Sequence, residues 1–286
     1  MPALAFAAVL LAAATHATWN LYAKRAAGSR HFVWLYSMGS IVLYLPIVSW
    51  ILLEQRPHFG RLQWLALLGT SVLHLGYSLV LQAGYRVSDL SLVYPIARGS
   101  GPLLSFVGAT LLLGEQPTVL AGLGLVLIVA GILLVAGLTR APHRAPKAGI
   151  AFGLTTGAFI AAYTVNDGWA VKQLGISPFL IDFTGNVVRT VVLLPFVLRD
   201  KVGVAREARV YATPAAVVSV LGPLGYILVL FAMRTAPVSH VAPARELATL
   251  VGAYFGSRFL REQVGPGRLI GAACIVAGVI SLALAS

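Results

Sequence analysis

The chain alternates long apolar runs with short polar breaks. A helix needs about 20 apolar residues to cross the hydrocarbon of a bilayer. Runs of that length lie at 3–23, 32–53, 62–84, 88–112, 117–138, 148–170, 177–198, 213–233, 238–259 and 266–285. The breaks between them carry charges or Pro and Gly, and none is long enough to fold as a soluble domain. The pattern predicts an all-α polytopic membrane protein of ten transmembrane helices. The first run lacks a basic leader and continues into Trp19 and Tyr22, so it is read as a retained span and not a signal peptide. One stretch departs from the pattern. "LVYPIARGSGPLL" (92–104) places Arg98 at the centre of a span, with Pro95, Gly99, Gly101 and Pro102 around it.

Composition agrees with lipid as the solvent. Hydrophobic residues make up 58% of the chain and charged ones 10%, with a mean hydropathy of +0.87. Ordinary soluble domains have about 45–50% and about 25%. The one cysteine, Cys274, lies in an apolar run, which excludes a disulfide framework and a thiolate metal site. The formal charge of +12 invites a nucleic-acid reading, but its distribution gives another. Lys24, Arg25, Arg30, Arg86, Arg140, Arg144, Lys147, Arg199, Lys201, Arg206, Arg209, Arg258, Arg261 and Arg268 fall on one side of the expected bundle. Arg56, Arg61, Lys172 and Arg234 fall on the other. The positive-inside rule makes the richer side cytoplasmic and puts both termini outside, as a multi-pass protein of the cell inner membrane.

Displacing the chain by 147 residues aligns it with itself. Arg98 falls on Arg245, "GEQ" (114–116) on "REQ" (261–263), Gly124 on Gly271 and "IVAG" (128–131) on "IVAG" (275–278). "TWN" (18–20) resembles "TVN" (164–166), one residue out of register. Helices 1–5 thus repeat as 6–10. Five is odd, so the second copy enters the membrane inverted, an architecture of transporters with the substrate at mid-depth between the repeats.

These features resemble the EamA-domain transporters of the drug/metabolite transporter superfamily. Ten helices in two repeats, the G-E-Q/R-E-Q element closing the fourth helix of each half and the Gly-rich helix after it carry the resemblance over nearly the whole chain. It implies a first EamA-type repeat over 1–140 and a second, inverted one over 147–286. It also implies a carrier that moves small metabolites, often outward, through a central cavity. "HATWNLYAK" (16–24) and "LSLVYPIARGSGP" (90–102) also resemble a subgroup associated with phosphonate utilisation. The small four-helix relatives carry an acid in helix 1 for protons and cationic drugs. Helix 1 here has His16 and Asn20 instead, which argues against proton-coupled export of cations.

Arg98, Arg189, Arg245, Asp167, Asp182 and Glu246 remain inside the expected membrane. Each costs about 2.5–3.5 kcal/mol to insert, so each needs a partner or a wet cavity. Arg98 and Arg245 lie near mid-depth and are related by the repeat, so both are expected to reach one central cavity. Two roles are open for them: binding an anionic group of the substrate, or tying helices together. Pro95 and the glycines around Arg98 are expected to free backbone and make room. Glu246 stands about 100° around the helix from Arg245 and is not expected to neutralise it. Asp182, Asn186 and Arg189 share one face of helix 7, with Asp182 and Arg189 expected to pair with other helices.

Asn20, Asn166, Trp19, Tyr94 and Tyr163, with Tyr77 and Tyr226, are candidate cavity-lining groups. Asp167, Asp182, Arg189 and His16 are candidates for coupling or gating, and His74 is a second membrane histidine. Lys24 is expected to snorkel to the surface. Glu115 and Glu262 are read as helix-end latches. Gly124, Gly131, Gly271 and Gly278 are read as close-packing positions without chemistry.

The chain has no G-x-x-x-x-G-K-[ST] and no H-E-x-x-H motif, and "RGSG" (98–101) has arginine where a serine nucleophile loop needs glycine. The expected function is a secondary transporter, an exporter, of a small polar metabolite, anionic or amino-acid-like, and not an enzyme. A flippase for lipid headgroups is the alternative. The expected partners are a small-molecule substrate and membrane lipids, with no cofactor, metal or nucleic acid. Proton or counter-substrate coupling, and monomer or homodimer, are left open.

Overall fold

The protein, seen in a computed structural model, is helical, and the structure describes residues 1–25, 29–136, 147–251 and 266–285. The helices are α1 (Ala3–Arg25), α2 (Arg30–Trp50), α3 (Arg61–Val87), α4 (Leu90–Leu112), α5 (Val119–Val135) and α6 (Lys147–Lys172). They continue as α7 (Pro178–Arg199), α8 (Lys201–Val210), α9 (Ala212–Thr235), α10 (Val238–Ala244) and α11 (Pro266–Leu284). Among the described residues there is no strand, and seven helices are long and apolar enough to cross a membrane. Val119–Val135 and Leu269–Leu284 are apolar but shorter.

Polar residues at the breaks set where helices start and stop. Ser29 caps α2 by accepting from the Phe32 N–H, and Thr118 caps α5 by accepting from the Ala121 N–H. Pro178 opens α7, where its missing N–H costs nothing. Gly114, the first residue of "GEQ", takes a φ of +70° just past α4, a conformation that favours glycine. Two features differ from the sequence reading. α2 ends in a π-helical turn (Ile51–Gln55), and the charged break after α7 folds as α8. That segment is too polar to register as a span, but Asp200 caps its first turn.

The ninth apolar run contains the larger surprise. The expected disruption at Pro95 does not occur, and α4 is helical throughout. Instead α10 stops at Ala244, residues 245–246 form a turn, and helix resumes at 247–251. Pro243 supplies no N–H for the ladder. The bonds after it tighten to three-residue spacing: Glu246 N–H to the Pro243 carbonyl and Ala248 N–H to the Arg245 carbonyl. Arg245 and Glu246 therefore sit at the interruption itself.

The halves meet in reciprocal pairs. α1 packs on α9 and α3 on α6, α2 packs on α9 and α3 on α7, while α2 meets α7 and α5 meets α11. Exchanging each helix for its repeat equivalent maps this set of contacts onto itself. Glycines make the α5–α11 seam. A Cβ on Gly131 would stand 2.6 Å from the Gly271 carbonyl oxygen, and one on Gly124 2.7 Å from that of Gly278. The early glycine of one helix thus faces the late glycine of the other, so the two run antiparallel at backbone contact. α6 also packs closely on α4, but parallel to it, through Gly153 and Gly157, which meet Ile96 and Ser100 in that order. Leucines and valines such as Leu111, Val126, Leu154 and Val191 cover the outside. In a membrane that face meets lipid at no penalty.

Candidate functional site

Arg98 projects from the middle of α4 with all three guanidinium nitrogens engaged. Nε donates to the Tyr94 hydroxyl one turn back at 3.1 Å, and Nη1 to Oε1 of Glu246 at 3.0 Å. Nη2 lies 3.2 Å from Nε2 of His16. A guanidinium has no acceptor, so Nε2 accepts and the imidazole carries its proton on Nδ1. Glu246 is 1% exposed, and Thr249 donates to its other oxygen at 3.3 Å. The Arg98 side chain keeps 14% exposure. The turn at 245–246 aims its two side chains apart, sending Glu246 across to Arg98.

Arg245 is held differently. Nη2 donates to the Tyr163 hydroxyl at a long 3.3 Å, and the guanidinium carbon lies 6.0 Å from that ring's centre. No carboxylate pairs with it among the described residues. His16 and Tyr163 are themselves repeat equivalents, 147 positions apart. Each arginine therefore touches the same position on the first helix of its own half.

Behind Tyr163 is an aromatic and polar cluster. His74 stacks on Tyr163 at 4.0 Å, and Tyr77 and Tyr226 meet Tyr163 and His74 edge-on. His74 is anchored through Nδ1 to Thr70. The Tyr226 hydroxyl donates to Asp167, which also accepts from Asn166 at 3.1 Å.

The remaining sequence candidates lie apart from the arginines' contacts. Trp19 packs its edge against His16 at 5.0 Å. Asn20 is exposed and folds its amide back onto the His16 carbonyl. Asn166 donates to the Ala66 carbonyl and faces an apolar groove of about 530 Å³ between α4 and α6, lined by Leu104, Gly108 and Trp169 among others. Asp182 and Arg189, expected to pair with other helices, share a partner on their own, and Arg189 also reaches α2. Both bond Asn186 of their own helix, at 2.9 and 3.4 Å, because the intervening amide fills the gap between two turns. Arg189 also lies 5.9 Å from the Tyr36 ring centre.

Two polar links join the halves, one through Glu115, read in the sequence as a helix-end latch, and one that the sequence did not signal. The Glu115 carboxylate accepts from the backbone N–H groups of Val238 and Ser239, at 2.7 and 2.9 Å, and from Lys172 at 3.0 Å. Burial pushes its carboxyl up, but these donors outweigh that and hold it below the ordinary carboxylate range. Lys172 reads as a mere loop charge in the sequence, so the partners of Glu115 were not legible there. At the opposite end His31 lies 3.4 Å from both Asp200 and Glu207, and Ser29 donates to Glu207. Lys24, Arg25, Arg140, Arg144, Arg258, Arg261, Glu262 and Arg268 lie outside the described residues or side chains.

Comparison with known proteins accounts for this arrangement. A solved structure described only as "Crystal structure of protein" superimposes with a TM-score of 0.74 over 99% of this chain and 98% of its own. The two are 14% identical, so the likeness is one of fold. No curated protein matches the chain. The family model for EamA-like transporters matches residues 3–137 and again 147–284, the two halves the repeat delimits. The chain belongs to the EamA-like transporter family and is a multi-pass membrane protein.

Proposed function

We propose that this protein is a secondary carrier, an exporter, for a small polar metabolite with an anionic or amino-acid-like group. It works by alternating access between two inverted five-helix halves in the cell inner membrane, with ten spans and both termini outside. The observation that carries the reading is the pair of repeat-related arginines meeting equivalent first-helix partners inside a helical bundle. Intramembrane ionisable residues mark substrate or ion pathways by default. The antiparallel α5–α11 seam and the reciprocal helix pairings support inversion, since halves related without inversion would set those helices parallel. Polar links at both ends, Glu115 to α10 and His31 to α8, supply opposite gates for a rocking motion.

The test is counterflow in proteoliposomes loaded with candidate metabolites. Saturable accumulation of unchanged solute is the expected result, and conduction at channel rates or a chemically altered product would overturn it. The lipid-facing groove beside Asn166 favours one second reading, a headgroup flippase. Scrambling of fluorescent lipid by the same vesicles would select it.

A further inference from the structure

We infer that the substrate presents a single oxyanion group, of carboxylate or phosphonate type, to Arg245, and that Arg98 is a structural tie and not a second anchor. The inference rests on the carrier reading and narrows the chemistry of its site. Symmetry in sequence suggests two equivalent forks facing one anion. The hydrogen bonds remove that equivalence. Arg98 spends three of its five N–H donors, one on each nitrogen, on Tyr94, Glu246 and His16, and the Glu246 carboxylate already meets its charge. An anion binding there would compete with the buried Glu246 carboxylate for the one positive charge.

Arg245 spends one nitrogen, weakly, on a tyrosine hydroxyl. The other acids within the spans, among the described residues, are committed elsewhere. Asp167 is taken up by Tyr226 and Asn166, Asp182 by Asn186, and Glu246 by Arg98 and Thr249. A guanidinium whose donors find one partner among the described residues, inside a membrane, requires water or an anion. Its planar fork matches a two-oxygen anion bidentately, which a lysine ammonium cannot do. Position favours the same residue. Arg245 stands where the helix is interrupted, the place where carriers bring irregular backbone to a ligand. Arg189 shares Asn186 with the Asp182 carboxylate and Arg98 is paired with Glu246, so a second anionic group on the solute finds no uncompensated arginine among the described residues of the bundle.

The experiment is thermal unfolding of the full chain in detergent, titrated with propionate, methylphosphonate, succinate and, as a cation control, ethylammonium. Ligands that bind the native state raise its unfolding temperature. Propionate and methylphosphonate should stabilise the protein, succinate no more than propionate, and ethylammonium not at all. Arg245→Lys should weaken the response about tenfold or more, through loss of the bidentate contact. Arg98→Gln/Glu246→Gln, which removes the tie as a unit, should leave it within about threefold. If that double variant does not fold, Arg98→Lys, which keeps a cation beside Glu246, takes its place with the same expectation. The inference fails if no anion stabilises the wild type, if succinate is clearly preferred, or if the response is lost with Arg98 and kept in Arg245→Lys. An anion response mapping to Arg245 in a protein that moves no solute would refute the carrier and leave the site standing. Counterflow without any anion response would do the reverse.

Discussion

The halves share a fold plan, a glycine seam and an arginine in the fourth helix, yet the two arginines live in opposite circumstances. Arg98 sits in unbroken helix and is paired with a carboxylate, whereas Arg245 sits at an interruption and has one long hydrogen bond among the described residues. The difference traces to single positions. Glu246 supplies the only carboxylate that pairs with either arginine among the described residues, and its repeat equivalent is Gly99. Tyr94, which also holds Arg98, is equivalent to Val241. Duplication reproduces packing faithfully because packing depends on many small residues along a seam. Electrostatic partnership depends on one side chain and diverges with it. A binding centre needs an unsatisfied group, and asymmetry is how a near-symmetric frame provides one.

Stability should expose the contrast most strongly. Arg98→Ala strands Glu246 as a buried, unpaired carboxylate, a defect that costs about 3–5 kcal/mol. Arg245→Ala forfeits one long hydrogen bond, on the order of 0.5–1.5 kcal/mol. Apparent unfolding temperatures in one detergent should therefore fall far more for Arg98→Ala. Equal losses would mean that Arg245 has a tie as strong as that of Arg98.

The seam predicts the converse, equal responses from equivalent residues. Gly131→Ala and Gly278→Ala each drive a methyl into a carbonyl oxygen of the opposite helix, at 2.6 and 2.5 Å. Overpacking of this kind costs about 1–3 kcal/mol. The two variants should lose similar stability, and a clear preference for one would show that the symmetry of the seam is only apparent.

What the sequence could reveal follows the same division. Apolar runs are a local property of the chain, so among the described residues the long helices lie along the runs, with the ninth interrupted, and the family model matches twice along the chain. Polar residues caught inside those runs were equally legible. Their partners were not, because partnership depends on helix rotation and on which leaflet a side chain reaches. Nothing in "PAREL" (243–247) says that Glu246 will cross to α4 while Arg245 turns toward α6. Pro95 and Pro243 look alike as helix breakers, yet α4 stays helical through Pro95 and the helix gives way after Pro243. α8 escaped notice because its polar face and short length mimic a loop.

The smallest expected effect concerns Glu115, a cross-half contact outside the spans. Its carboxylate bonds two backbone N–H groups at the start of α10 and the Lys172 ammonium, so the first half holds the entry to the interrupted helix of the second. Because the folded protein keeps this carboxyl below its ordinary range, folding favours the ionised form. The stabilisation is fully present above the unfolded carboxylate value, about 4.3, and is lost as pH falls through the lower folded value. Glu115→Gln keeps one acceptor oxygen and removes the charge. It should lower the unfolding temperature modestly at neutral pH and close the gap to wild type under acid conditions. It should not change the anion response at neutral pH if Arg245 alone receives the anion, because Glu115 touches α10 at its far end from the arginine. A variant whose deficit stayed constant across the acid range would show that the contact stabilises through shape and not through charge. One that also lost the anion response would show that anchoring the start of α10 is what holds the turn at Arg245 in place.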